Sequence, residues 1–579
     1  MLDVIIRGVT VADGTGADAF VADVGLRDGR IAVVGSAAGE EAAEVIDGTG
    51  LVLCPGFVDP HTHYDAQLLW DPHGSPSNVH GVTTVISGNC GFTLAPLRAE
   101  DVDWTLEMMS EVEGMPLDAL RAGVGGGWTS FPEYLDHLDG KLGVNAAFLV
   151  GHCALRRYVM GERGSGNLAE PADLDAMRAL LDEALAAGAL GFSSSQSFTH
   201  NDGDGRPIPS RSADTAEVLA LCEVVSHHEG TTLEYITDGC LKGFSDEEIE
   251  RLTAMSLAAG RPLNWNVLTV DARSEAEMER QLEASRHAEA NGAKVVALTM
   301  PTLVPMNMSF LTRCALTLMP YWDTILTLPV AERMEKLRDP EVRRRMQEAA
   351  KSDEAGVLKR LSGWAKYEVG DTYSDENKPL EGRRVGDIAE ERGTSPFDTL
   401  VDIVLADDLR TVLWPLPPED DTASWELRMA LIDSDRAMVG GSDAGAHLDR
   451  MLGSTYPTAF LADCLRGRQL LSMERAIRSM TEVPARLFGL RERGRVQEGW
   501  HADLVLFDPA TVGARRVRKV ADLPADSERL YAGSDGIVRV FVNGRTAVVD
   551  GEATDGLAGT LLRSGRDTET VAVPGTAGP

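Results

Sequence analysis

No two cysteines form a CxxC pair, and the seven present (Cys54, Cys90, Cys153, Cys222, Cys240, Cys314 and Cys464) are scattered and odd in number. That pattern argues against a zinc finger or a disulfide framework and predicts reduced thiols. Basic residues are scarce: Lys plus Arg is 55 against Asp plus Glu 90, a formal net charge of −35. Nucleic acid and anionic membranes would be repelled, so neither is an expected partner. Aromatic residues reach only 6%, too few for a base-stacking or carbohydrate-stacking surface. Long apolar runs are missing too. The longest uncharged stretch, Val295 to Thr312, contains Pro301, Pro305 and Asn307, which predicts a buried strand leading into a loop and not a membrane span. The start of the chain has Asp3 and no basic region before an apolar core, so it lacks a signal-peptide pattern. The expected location is the cytoplasm.

What is present reads as a well-packed chain of 579 residues, 43% hydrophobic and 25% charged. Residues 1–55 carry short period-two runs such as VIIRGVTV, and residues 488–563 repeat that texture in GRVQEGWHADLVLFD and DGIVRVFVNGRTAVVDGE. The two ends are predicted to complete one small β-sandwich. Between them lie eight strand-like runs: FVDPHTH, GVTTVISGNC, NAAFLVGH, GALGFSSS, TTLEYIT, PLNWNVLT, KVVALTMP and RAMVGGSD. Helix-like stretches such as PADLDAMRALLDEALAAG and SADTAEVLALCEVVSHHEG separate most of them, each ending near a C-cap glycine. Repeated β-then-α at this length predicts an α/β fold, a parallel (β/α)8 barrel with outer helices. Its two parts are expected at 56–308 and 407–487. A charged helical insertion at 309–406 interrupts it after strand seven, as a lid or as an interface between copies in a homo-oligomer. Residues 564–579 are expected to form a mobile tail.

Chemistry gathers at the strand ends. His61 and His63 are alternate residues of an extended segment, so both imidazoles share a face and suit metal ligation. Cys90, in SGNCG, is either an inert small hydrophobe or a thiolate ligand; a thiolate would select zinc or another borderline metal over magnesium. Asp443, in VGGSDAGAH, is either a capping residue or a general base facing the same mouth. His152 and His200 are further rim histidines with substrate in reach. His227 and His228 are expected at the surface, and His447 at the rim or at a helix start.

Taken together, PGFVDPHTHYDAQ, GVTTVISGNCGFTLAP, VGHCALR, GALGFSSS, GGSDAGAH and RGRVQEGWHADLVLFDP resemble the amidohydrolase superfamily, within it the N-acyl-D-amino-acid deacylase (D-aminoacylase) branch. The resemblance spans about residues 3–555. It implies a distorted barrel with a small β-sandwich, and metal-assisted hydrolysis of an amide. It also implies functional roles for His61, His63, Cys90 and Asp443.

The chain departs from that branch where a ligand histidine normally ends strands five and six. Glu234 stands at the first place and Asn266 or Val267 at the second, and strand four offers hydroxyls in place of a lysine. The expected centre is therefore mononuclear, one zinc ion on His61, His63 and Asp443, with Cys90 and Glu234 as completing ligands. The substrate is expected to be a small N-acylated amino acid or related amide. Its carboxylate would be met by Arg156, Arg206 or Arg211, and Ser309 would donate to a carbonyl. Two other readings compete: a cyclic-amide or dipeptide hydrolase of the same superfamily, and a metal-free scaffold.

Overall fold

The structure is a computed structural model that describes residues 1–312, 314–417 and 419–576. They divide into two compact units, Met1–Thr302 with the chain from Ala423 onward, and Leu303–Thr422.

The first unit is built on eight parallel strands, at Phe57–Asp59, Val82–Ser87, Asn145–Gly151, Gly191–Gln196, Thr232–Thr237, Leu263–Trp265, Val295–Thr299 and Met438–Val439, hydrogen-bonded in sequence order. All eight coincide with the runs read from the sequence. A parallel bridge between Thr62 and Ala444 joins the extension of strand one to that of strand eight. His63 N donates to Ala444 O there at 2.7 Å, so the ring closes just beyond the strands themselves. The strands show no polar-out alternation because both faces are covered: every residue of Val82–Ser87 and Asn145–Gly151 is buried. The helices between strands carry their own start signals. Asp214 accepts from Glu217 N ahead of Thr215–Ser226, and a Ser245–Glu248 capping box opens Asp246–Ala259. Helix Pro171–Ala186 closes on Gly188 as expected, at φ +102° and with Gly188 N donating to Leu185 O at 3.0 Å and Ala189 N to Ala184 O at 3.0 Å, whereas Thr215–Ser226 ends before reaching Gly230.

Both chain ends build the small β domain. Its nine-stranded sheet places Val52–Pro55 between Leu2–Val11 and Leu504–Phe507, with Leu53 opposite Leu506. Ile6, Val9, Val24, Leu26, Leu504 and Phe541 form its core. Residues 564–576 depart from the expected mobile tail. Their backbone is tied down, for example by Glu569 N to Gly489 O at 2.8 Å, and Thr568 Oγ1 donates to Gly230 O at 2.7 Å. Residues 577–579 lie outside the described residues.

The second unit is wider than the expected 309–406. Its neck is an antiparallel bridge between Met308 and Leu413, and Glu368–Val369 pairs with Leu413–Trp414. Trp322, Leu337, Met346, Trp364, Phe397 and Leu400 give it a core of its own. All seven cysteines are buried and none is in a disulfide among the described residues. Among the described residues no helix is long and apolar enough to cross a membrane.

Candidate metal centre

Strand one hands on to an extended segment whose alternation sorts its side chains. Thr62 turns toward the barrel wall, its hydroxyl donating to Ile86 O at 2.8 Å. His61 and His63 turn the other way and meet edge to face, with ring centroids 5.3 Å apart. Both present Nε2 to one oxygen: Asp443 Oδ1 lies 3.3 Å from His61 Nε2 and 3.8 Å from His63 Nε2. Cys90 Sγ is 3.6 Å from His61 Nε2. Ligand atoms of His61, His63 and Cys90 all fall within 4.8 Å of one another.

Glycines make this convergence possible. Cys90 adopts a left-handed turn at φ +54°, between Gly88 at +79° and Gly91 at +77°. A Cβ on Gly88 would stand 2.3 Å from Leu149 O, and one on Gly91 3.2 Å from Ser194 Cα, so only glycine lets the turn press onto strands three and four. Glu234, on strand five, is fully buried and accepts from Cys90 N at 2.8 Å through Oε2. Asn266, just past strand six, sets Nδ2 3.1 Å from His61 Nε2 and 3.5 Å from Asp443 Oδ1.

Charge around this cluster is unbalanced. Asp59, Asp65, Glu113 and Glu234 are buried, and Asp443 has a fifth of its side chain exposed. Among the described residues none of the five pairs with a lysine or arginine. Burial pushes Asp59, Asp65 and Asp443 up to about 7, with the Asp59 charge adding to the effect on Asp443. Burial, then neighbouring carboxylates, drives Glu113 well above the ordinary range; burial does the same to Glu234, with Asp443 adding. Burial also takes His61 down to about 3 and His63 well below its usual value. The imidazoles are thus neutral, with lone pairs to give, and the carboxylates need a positive charge in order to ionise.

A divalent cation fits that need. His61 Nδ1, Glu234 Oε1 and Asn266 Oδ1 are buried without a hydrogen-bond partner, and the donors combine imidazole nitrogen, thiol sulfur and carboxylate oxygen, the mixture a borderline transition metal accepts.

The sequence profile of the amidohydrolase family matches residues 44–548. The chain belongs to that family. Among relatives of this amidohydrolase, N-acyl-D-aspartate deacylase of Alcaligenes xylosoxydans xylosoxydans is 31% identical over 557 residues, covering 95% of this chain and 93% of that one. The solved N-acyl-D-glutamate deacylase from Bordetella bronchiseptica, complexed with zinc and a phosphonate mimic of the tetrahedral intermediate, superposes with a TM-score of 0.63 at 25% identity. It covers 97% of this chain and 100% of its own. A solved D-aminoacylase described by its binuclear metal centre gives 0.62 at 28% identity over the same shares.

The other residues expected at the amidohydrolase site are placed differently. Arg156 is fully buried, its Nη1 2.6 Å from Glu217 Oε1 and its remaining donors on Gly164 O and Asn167 O. His152 joins the same network, Nε2 at 2.8 Å from Glu217 Oε1 and Nδ1 at 2.8 Å from Ser194 Oγ. Neither has an atom free for substrate, which corrects the expectation for both. Arg206 is exposed and paired with Asp202 and Asp204. Ser309 belongs to the second unit, where its hydroxyl accepts from Leu311 N and Thr312 N. His200 and Arg211 stay together: Arg211 Nη1 donates to His200 O at 3.1 Å and to Asn201 Oδ1 at 2.7 Å. His200 is held by Ser195 Oγ at 2.7 Å from Nδ1.

Three carboxylates of the cluster escape a reading of the sequence. Asp59 and Asp65 share the alternation of His61 and His63, every second residue from 59 to 65, and that spacing is a usable signal. Glu113 ends a helix far along the chain from His63 and leaves no such mark.

Proposed function

We propose that this amidohydrolase removes the acyl group from N-acyl-D-amino acids, with one zinc ion held by His61, His63, Cys90 and Asp443 and completed by Glu234. The carrying observation is the convergence of both Nε2 atoms on Asp443 Oδ1 beside Cys90. The substrate class follows the names of the relatives that cover nearly the whole chain. Preference for one ion over two follows from Glu234 and Asn266, since an amide is a feeble ligand for zinc.

A divalent ion bound there supplies Lewis acidity, easing loss of a proton from water and polarising a carbonyl. Asp443 acts as the base because it alone of the five carboxylates has an open face toward solvent. It takes a proton from the attacking water and later delivers it to the departing nitrogen, which cannot leave as an anion. His61 and His63, kept neutral by burial, hold their Nε2 lone pairs toward that reaction space. Arg211, next to His200, is the rim guanidinium that remains for the substrate carboxylate.

Zinc-loaded protein assayed on N-acetylated D- and L-amino acids tests this, with metal content measured after dialysis. Expected are turnover of the D series, about one equivalent of zinc, and a loss of about 10²–10⁴-fold in Asp443→Asn protein that still holds metal. Turnover of neither series, or Asp443→Asn within a few-fold of the parent, would overturn the proposal; two firmly retained equivalents would overturn the single ion.

A further inference from the structure

Glu113 is the last residue of the helix Val102–Glu113. Its carboxylate is buried, with Oε1 3.5 Å from His63 Nδ1. His63 Nε2 faces Asp443 Oδ1, so Glu113 stands behind the ring, on the nitrogen turned away from the cluster. The same residue reaches a second element, since its carbonyl accepts a hydrogen bond from His447 N. His447 lies four residues past Asp443, in the loop after strand eight. The helix end can press against that loop because residue 114 is glycine at φ +59°, where a Cβ would lie 3.2 Å from His447 Cα.

This placement has no rationale in stability. A carboxylate at a helix C-terminus opposes the helix dipole. A buried carboxylate without a cationic partner is costly, and among the described residues Glu113 pairs with no lysine or arginine. What it does have is the rear nitrogen of a histidine whose forward nitrogen joins the cluster. His61 has no counterpart, its Nδ1 being buried and unpartnered.

We infer that Glu113 is a positioning residue of the metal centre: its carboxylate accepts from His63 Nδ1–H, fixing the tautomer that leaves the Nε2 lone pair forward and making that nitrogen a stronger donor. Its carbonyl registers the same helix end against the Asp443 loop. Closing the Oε1–Nδ1 gap by about half an ångström gives a full hydrogen bond. A carboxylate behind a ligating imidazole raises its basicity, and removing such a partner typically weakens metal binding 10–100-fold.

The inference rests on the metal-centre reading proposed above, and the test separates the two. Zinc affinity is measured by chelator competition for the parent chain, Glu113→Gln and Glu113→Asp, together with the melting temperature of each metal-free protein. Glutamine keeps the shape and an acceptor oxygen but loses the charge; aspartate keeps the charge at shorter reach. Expected are zinc binding about 10–100-fold weaker in Glu113→Gln, partial rescue in Glu113→Asp, and a metal-free melting temperature in Glu113→Gln at or above the parent's. Zinc affinity of Glu113→Gln within twofold of the parent would overturn the inference and leave the centre standing. So would losses in both variants that track an equal fall in metal-free melting temperature. A parent chain that binds no zinc would sink the centre itself.

Discussion

An arginine beside a barrel strand does very different things according to what its donors already hold. Arg156 spends its guanidinium on Glu217, Gly164 O and Asn167 O in full burial, and Glu217 in turn holds His152. Removing one member strands the others as uncompensated buried groups, a loss of about 3–5 kcal/mol. Arg156→Met should therefore lower the melting temperature sharply while the folded fraction keeps its KM. Arg211→Met should do the reverse, raising KM with little change in melting. If Arg156→Met raises KM at unchanged stability, the assignment of the two arginines is exchanged. The sequence could not separate them, because position on the rim says nothing of where a long side chain turns and Glu217 lies 61 residues further on. His61 and His63 were legible for the opposite reason: on an extended segment the direction of a side chain follows from its parity.

At the scale of elements, strands were far easier to read than boundaries. Most barrel strands are short runs rich in apolar residues and closed off by glycine, proline or a polar turn, and burial covers even the hydroxyls of Gly191–Gln196. Even Met438–Val439, only 2 residues long, was marked by its arginine before and glycines after. The insertion's edges were not marked, because what closes it is two-residue pairing between Glu368–Val369 and Leu413–Trp414 and a single bridge at Met308. Helical periodicity ends near 406, yet the chain returns to Leu413 before leaving the unit. Its aromatic core is internal: Trp322 stacks on Trp364 with centroids 5.4 Å apart, and Phe397 packs on both. A segment closed at its neck and holding a core of its own has what a domain needs to fold alone. Leu303–Thr422 expressed alone should give a helical circular dichroism spectrum and a single cooperative melt. A featureless spectrum without a transition would show that it folds only within the whole chain.

For the whole molecule, the two chain ends have different tasks. The nine-stranded sheet is sealed where Val52–Pro55 pairs with Leu504–Phe507, and this union of distant segments was legible because both carry period-two alternation. The last described residues were not legible, since PGTAG-type composition looks the same tethered or free. Their path explains the tethering. Leu562 N donates to Ala146 O at 2.8 Å and Ser564 N to Gly188 O at 3.0 Å. Gly230 N donates to Thr570 Oγ1 at 2.9 Å, and Gly575 N to Gly292 O at 2.6 Å. Ala146 is the second residue of strand three, and Gly188, Gly230 and Gly292 precede strands four, five and seven. The segment therefore straps the N-terminal ends of the barrel strands, the face opposite His61 and Asp443, where barrel residues serve stability and not chemistry. Each such bond is worth about 1 kcal/mol net, so ending the chain at Arg563 should remove roughly 3–6 kcal/mol. The truncated protein should melt several degrees lower yet, when folded, match the parent in zinc affinity and KM. An unchanged melting temperature would mean the strap rests on the barrel without bracing it. A loss of zinc affinity beyond the loss of folded protein would mean the two faces are coupled through the strands.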